Sequence, residues 1–171
     1  MAFRTINRLR RSRGVHIEFD TQFDTKPLKR EIDGMERRSK DFSPVFERIR
    51  DDLERSWAGN FTSQGLPVGG WAPLDAEYAS WKSVHYPGAP PMVQTGKLFN
   101  SLSNLRGNPN EIHPMRAVFG TDIEWAKFHQ TGTNKMAKRL IVFEPHEAHI
   151  RWGDWAAEYM AEGREALESD L

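Results

Sequence analysis

His146-Glu147-Ala148-His149 carries the residue types of a metal-dependent hydrolase, two imidazoles to hold a divalent ion and a carboxylate to act as base. The working pattern is H-E-x-x-H, in which an i, i+4 spacing sets both rings on one helix face. Here the spacing is i, i+3 and no third ligand is identified, so the tetrad reads as polar residues at a helix start and no metal is expected. Six histidines allow many Ser/His/Asp sets, but Ser101 and Ser103 stand in no G-x-S-x-G elbow. The stretch Gly65 to Gly70 lacks the lysine and hydroxyl of a phosphate-cradling loop. The carboxylates between residues 47 and 54 follow the solvated face of a helix rather than forming an acid/base pair. Cysteine is absent, which removes thiolate nucleophiles, thiolate metal sites and disulfide scaffolds. The expectation is a protein with no catalytic set and no cofactor.

Charge offers a second chemistry. Lys127, Lys135, Lys138 and Arg139 lie close to Trp125 and Phe128, the mixture of cations and rings that nucleic-acid surfaces use. Arg4, Arg8, Arg10, Arg11 and Arg13 open the chain without an acid among them. Asp154, Glu158, Glu162, Glu165, Glu168 and Asp170 give its end the opposite sign. Three readings of the basic arm stand: contact with DNA, contact with an acidic protein neighbour, or a solvated terminus. The opposed ends also suit head-to-tail contact between identical subunits. The whole chain balances 24 basic against 24 acidic residues, so the body is not built to bind a polyanion.

The elements that position these residues are legible from spacing. With 171 residues the chain holds one ordinary domain with extensions. No apolar run reaches the roughly 20 residues of a membrane span, and Met1 to Arg13 lacks the apolar centre of a secretory leader, so neither is expected. Val15, Ile17 and Phe19 alternate with polar residues and predict a strand. Leu28, Ile32 and Met35, then Phe46, Ile49, Leu53 and Trp57, recur three and four apart and predict core-facing helices over 26–40 and 44–60. Ser43-Pro44 reads as N-cap and first helical position, or as the kink of one long helix. Residues 59–94 are rich in glycine and proline yet carry Trp71, Leu74, Tyr78, Trp81 and Tyr86, which predicts an excursion packed on this subunit or on a neighbour. Within it, Leu74 to Lys82 predicts a short helix with Leu74, Tyr78 and Trp81 on one face. Further on come a helix capped by Thr95, a turn at Asn108-Pro109-Asn110 and a strand from Met115 to Phe119. Thr121-Asp122-Ile123-Glu124 predicts a capping box, Leu140 to Phe143 a strand, and Pro145 onward a final helix. The class is α+β, a small, mostly antiparallel sheet packed with long N-terminal helices, a Gly/Pro/aromatic loop and a C-terminal helix. The expected divisions are a basic arm at 1–14, a single domain at 15–150 and an acidic end at 151–171.

Three landmarks in fixed order carry a resemblance. They are Gly70-Trp71-Ala72-Pro73-Leu74; Thr95-Gly96-Lys97-Leu98 with Ser101-Leu102; and Phe119-Gly120-Thr121 followed by Trp125-Ala126-Lys127-Phe128-His129-Gln130-Thr131-Gly132. Over about residues 40 to 150 the chain resembles the phage virion morphogenesis family of tail completion proteins. Trp125 replaces the family's usual tyrosine, and Met136 to Leu140 lacks the prolines of the family's basic stretch. The resemblance implies a structural protein of the virion neck or head-proximal tail end, made in the host cytoplasm and joining heads to tails. It implies partners among neck and tail proteins and a ring of about six copies of itself. Trp71, Leu74, Thr95, Gly96, Leu98, Ser101, Gly120, Trp125, His129, Gln130 and Gly132 then become motif and candidate interface residues. Gly96 and Gly120 would allow tight turns. Trp125, His129 and Gln130 face a neighbour or make an internal His–Gln contact. A DNA-contacting accessory protein is the alternative, and a hydrolase using His146 and His149 a remote one.

Overall fold

The computed structural model describes residues 4–6, 20–22, 24–107 and 109–168. The strand expected over 15–19, the arginines 8, 10, 11 and 13, and Asn108 of the expected turn lie outside the described residues. The chain divides into two compact units, residues 1–37 and 38–171.

In the first unit β1 (Arg4–Ile6) pairs antiparallel with β2 (Asp20–Gln22), Thr5 opposite Thr21. Arg4 therefore stands in a strand rather than in an unstructured arm. Helix α1 spans Lys26–Arg38. The Asp24 carboxylate accepts the Lys26 N–H, and Pro27 occupies the first turn, where no N–H is needed. The stripe expected to face a core does not: Leu28, Ile32 and Met35 are 58%, 54% and 44% exposed.

In the second unit α2 (Ser43–Thr62) forms where the spacing predicts. Its cap differs. The Asp41 carboxylate, not the Ser43 hydroxyl, satisfies the Ser43 N–H at 2.9 Å. Hydrogen bonds from Ser43 hold the Asp41 carboxyl below its usual pKa. The chain breaks between α1 and α2 instead of kinking at Pro44, which sits in the first turn of α2.

Leu53, Trp57 and Phe61 of α2 centre the main core. They pack with Leu98 and Leu102 of α4 (Lys97–Ser103) and with Met92, Leu105, Ile123, Ala126 and Ile141. A second cluster joins Val45 to Trp155 and Tyr159 of α6 (Ala148–Glu162) and to Leu167 of α7 (Arg164–Glu168). Asp52 ties the two layers. Its buried carboxylate accepts from Arg151 at 2.6 Å and from the Trp152 indole at 2.9 Å. Burying that charge is tolerable because it is both paired and hydrogen-bonded.

The excursion is more regular than its composition suggests. A 3-10 turn spans Leu66–Val68, and α3 spans Ala76–His85. Asp75 caps α3 by accepting the Glu77 and Tyr78 N–H groups, so Leu74 falls before the helix rather than on its face. Strand β4 (Arg116–Val118) lies inside the expected Met115–Phe119 stretch and pairs with β3 (Glu111–His113), an arm the spacing did not announce. The α+β class holds, with its described strands in two antiparallel hairpins.

Two local expectations fail. Thr121 accepts the Ile123 N–H and lies 3.0 Å from the Ser101 hydroxyl, and α5 (Ala126–Thr131) starts only after Trp125, so no helix begins at the predicted box. Leu140 to Phe143 joins no sheet among the described residues. Side chains pair with its backbone instead, as the next section describes.

Candidate interface cleft

The 140–143 segment is braced by four side chains. Gln130 of α5 accepts the Ile141 and Val142 N–H groups at 3.0 Å each and donates to the Val142 carbonyl at 2.6 Å. Its amide thus mimics a neighbouring strand. Asn60 and the Trp71 indole both donate to the Leu140 carbonyl at 2.9 Å, and the Trp57 indole donates to the Phe143 carbonyl at 2.9 Å. Buried backbone groups need such partners. Gln130 is spent inside the subunit, on backbone rather than on His129.

The same brace fixes the start of the excursion. Trp71 packs edge-on against Phe61 at 5.3 Å and lies over Gly65. Gly65 has φ +84°, and a Cβ there would sit 2.3 Å from the Trp71 ring, so both backbone and contact require glycine. Arg139 completes the hold. It is 4% exposed and donates from Nε to the Ala72 carbonyl at 3.0 Å and from Nη2 to the Pro73 carbonyl at 2.8 Å. Burial pulls its pKa below the usual arginine value. The sequence placed Arg139 in a basic surface patch; its guanidinium is turned inward, while Lys127, Lys135 and Lys138 are exposed. Lys82, buried and with its pKa lowered by burial, closes the excursion's far end by donating to the Pro90 and Pro91 carbonyls.

Between these anchored strips opens a cleft of about 500 Å³. Leu74 and Tyr78 come from the excursion, Thr95, Gly96 and Leu98 from the start of α4, Trp125 from just before α5 and His129 from within it. All three landmarks therefore contribute to one wall set. Met92 and Met136 add apolar lining that no motif announced. Gly96 takes φ +77° where the chain turns into α4, as expected, and the Thr95 hydroxyl accepts the Lys97 N–H at 3.4 Å. Gly120 is different: it is not left-handed, nothing would crowd a Cβ there, and its N–H donates to Asn110. Ser101 and Gln130 support the walls from behind without lining them. Gly132 lets the backbone near Lys138 come close; an added Cβ would lie 3.0 Å from its nitrogen.

His129 stands edge-on to Trp125 at 5.8 Å, and its Nδ1 is buried with no hydrogen-bond partner among the described residues. Burial, reinforced by the positive charge of Arg139, pushes its pKa down, which favours the neutral ring. Around the mouth the surface is aromatic. Tyr78 stacks on Trp81 at 5.6 Å and Trp81 on His85 at 4.5 Å, with Trp125 and Phe128 also exposed. Exposed rings in this density mark contact surfaces.

The histidine tetrad builds no comparable site. His146 is exposed, His149 approaches Glu144 at 3.2 Å, and no group of three or more metal-ligating side chains comes together among the described residues. Nor is any described helix long and apolar enough to cross a membrane.

No curated protein and no solved structure matches the chain. A family model does, over residues 23–154, a span that includes every landmark and the whole cleft; the chain belongs to the phage virion morphogenesis family.

Proposed function

We propose that this protein is a tail completion or head–tail joining subunit that assembles as a ring of about six copies in the neck, at the head-proximal end of the phage tail. The observation that carries the reading is the convergence of the three motif stretches on one apolar cleft rimmed by exposed rings. A catalytic cleft gathers reactive groups. This one gathers leucine, methionine and aromatic side chains; of its charged members, Arg139 holds the Ala72 and Pro73 carbonyls, Asp75 caps α3, and Lys97 and Lys135 are exposed. The work of such a surface is packing: an apolar centre gives the contact its strength and polar edges fix its register. Repetition of one heterologous contact closes a ring when the rotation between copies divides a full turn. Its partners are further copies and the neck and tail proteins above and below.

The experiment is electron microscopy of particles made without this gene. Full heads beside detached tails are expected. Joined, infectious particles would overturn the reading.

A second reading has its own observation. Lys127, Lys135 and Lys138 remain exposed near Trp125 and Phe128, so the subunit would touch packaged DNA without reading sequence. Retention of duplex DNA that weakens steeply with salt is expected; no retention at low salt would remove it.

A further inference from the structure

The charges that line the cleft do not cancel. Asp75 is committed to capping α3, and Arg139 to the Ala72 and Pro73 carbonyls. Lys97 and Lys135 are exposed, and their ammonium groups meet no partner among the described residues. Leu74, Met92 and Met136 make the rest of the lining apolar. The cleft is an apolar hollow with a positive edge.

Helix α6 carries the opposite surface. Its inner face, with Trp155 and Tyr159, packs in the second cluster. Its outer face carries Ile150, Ala157 and Ala161, seven and four residues apart and so in line along the helix. All three are exposed, Ile150 by 54%. One border of this ribbon holds Asp154, Glu158 and Glu162, a carboxylate every four residues. Each is exposed, and none has an ion-pair partner among the described residues. The nearby bases are engaged elsewhere, Arg151 with Asp52 at 2.6 Å and Arg164 with Glu47 at 3.0 Å. The border is therefore acidic along its length. Cleft and helix belong to the same folded unit, and within it the cleft stands open and the helix face bare. One copy does not fill its own cleft.

We infer that α6 of one copy docks on the cleft of a second copy, with Ile150 in the apolar hollow and Asp154 and Glu158 against Lys97 and Lys135. Charge complementarity selects this occupant and sets its register. The small side chains of Ala157 and Ala161 let the helix come close to the rings of Tyr78 and Trp81 at the rim. The inference rests on the reading of the protein as a self-assembling virion subunit, and names the surfaces that join. Donor helix and acceptor cleft are different surfaces, so every copy gives one and receives one.

The chain has no cysteine, so introduced thiols report unambiguously. Two full-length forms with different tags, Ala157→Cys and Ala137→Cys, together complement the gene deletion, and the particles are treated with a short bismaleimide. Both positions are exposed, and Ala137 lines the cleft. A product carrying both tags is expected. Pairing Ala157→Cys with Met115→Cys, exposed and outside the cleft, should give little. Lys97→Glu with Lys135→Glu in the acceptor should cut the product about tenfold, and Asp154→Lys with Glu158→Lys in the donor should restore it. If Ala137→Cys does not fold, as circular dichroism would show, Gln94→Cys, also exposed in the lining, takes its place. Particles that contain the protein but give no two-tag product, or link equally to Met115→Cys, overturn this contact alone. Particles that join normally without the protein overturn the functional reading on which it rests.

Discussion

Helices α1 and α2 follow one another in the chain and carry the same kind of pattern, with apolar residues three and four apart and charges between. Yet Trp57 of α2 is 3% exposed and Ile32 of α1 is 54% exposed. The difference lies in what surrounds the pattern. The α2 face meets Leu98, Leu102 and Ile141, and its Trp57 and Asn60 also supply hydrogen bonds to the 140–143 backbone. On α1 the same pattern leaves Leu28, Ile32 and Met35 exposed. Periodicity states which face of a helix is apolar; it does not state which molecule covers that face.

The comparison can be broken at either helix. Trp57→Ala empties the centre of the main core and strands the Phe143 carbonyl, so it should cost about 3–5 kcal/mol in chemical denaturation. Gln130→Ala removes the amide that stands in for a strand. Two N–H groups and a carbonyl then lose their partner, for an expected cost of about 2–4 kcal/mol. A loss as small as a surface substitution gives would show that water replaces the brace.

A smaller effect depends on pH. The folded pKa of His129 is depressed by burial and by Arg139, so as pH falls the unfolded chain takes up the proton first. This residue's share of stability is therefore complete above about pH 6.5 and declines from there toward the folded pKa. His129→Phe should flatten that decline in denaturation midpoints measured between pH 7.5 and 5, midpoints that fall in parallel in both proteins arguing against it. The smallest effect on folding belongs to α1. Ile32→Asp should change stability by no more than about 0.5 kcal/mol. A large loss of stability would mean that the helix face is part of the subunit's own core.

What the sequence made legible was whatever local spacing controls. The extent of α2, the helix after Gly96 and the place of β4 follow from apolar period and turn residues. What it hid depends on partners distant in the chain. Leu140 to Phe143 has a strand's composition, but its partner is the side chain of Gln130 ten and more residues away. Arg139 follows Lys127, Lys135 and Lys138 in sequence and reads as a fourth cation of a patch, while the carbonyls of Ala72 and Pro73 draw it inside. Asp52 and Lys82 look like solvated charges on helix faces and are both buried, each with partners on other elements or loops. The cleft was half visible, because Leu74, Gly96, Leu98, Trp125 and His129 come from the ordered landmarks. Met92 and Met136 stand in no motif and become neighbours only when the excursion and α5 are brought together.

The account turns on whether the protein stands as a ring at the head-proximal end of the tail. Cryo-electron microscopy of the head-proximal end of the tail tests this most directly. The expected density is a closed ring of copies of this chain, with the aromatic rim of each cleft against a neighbouring chain. A ring whose cleft rims face only solvent, or a neck without this protein, would contradict it.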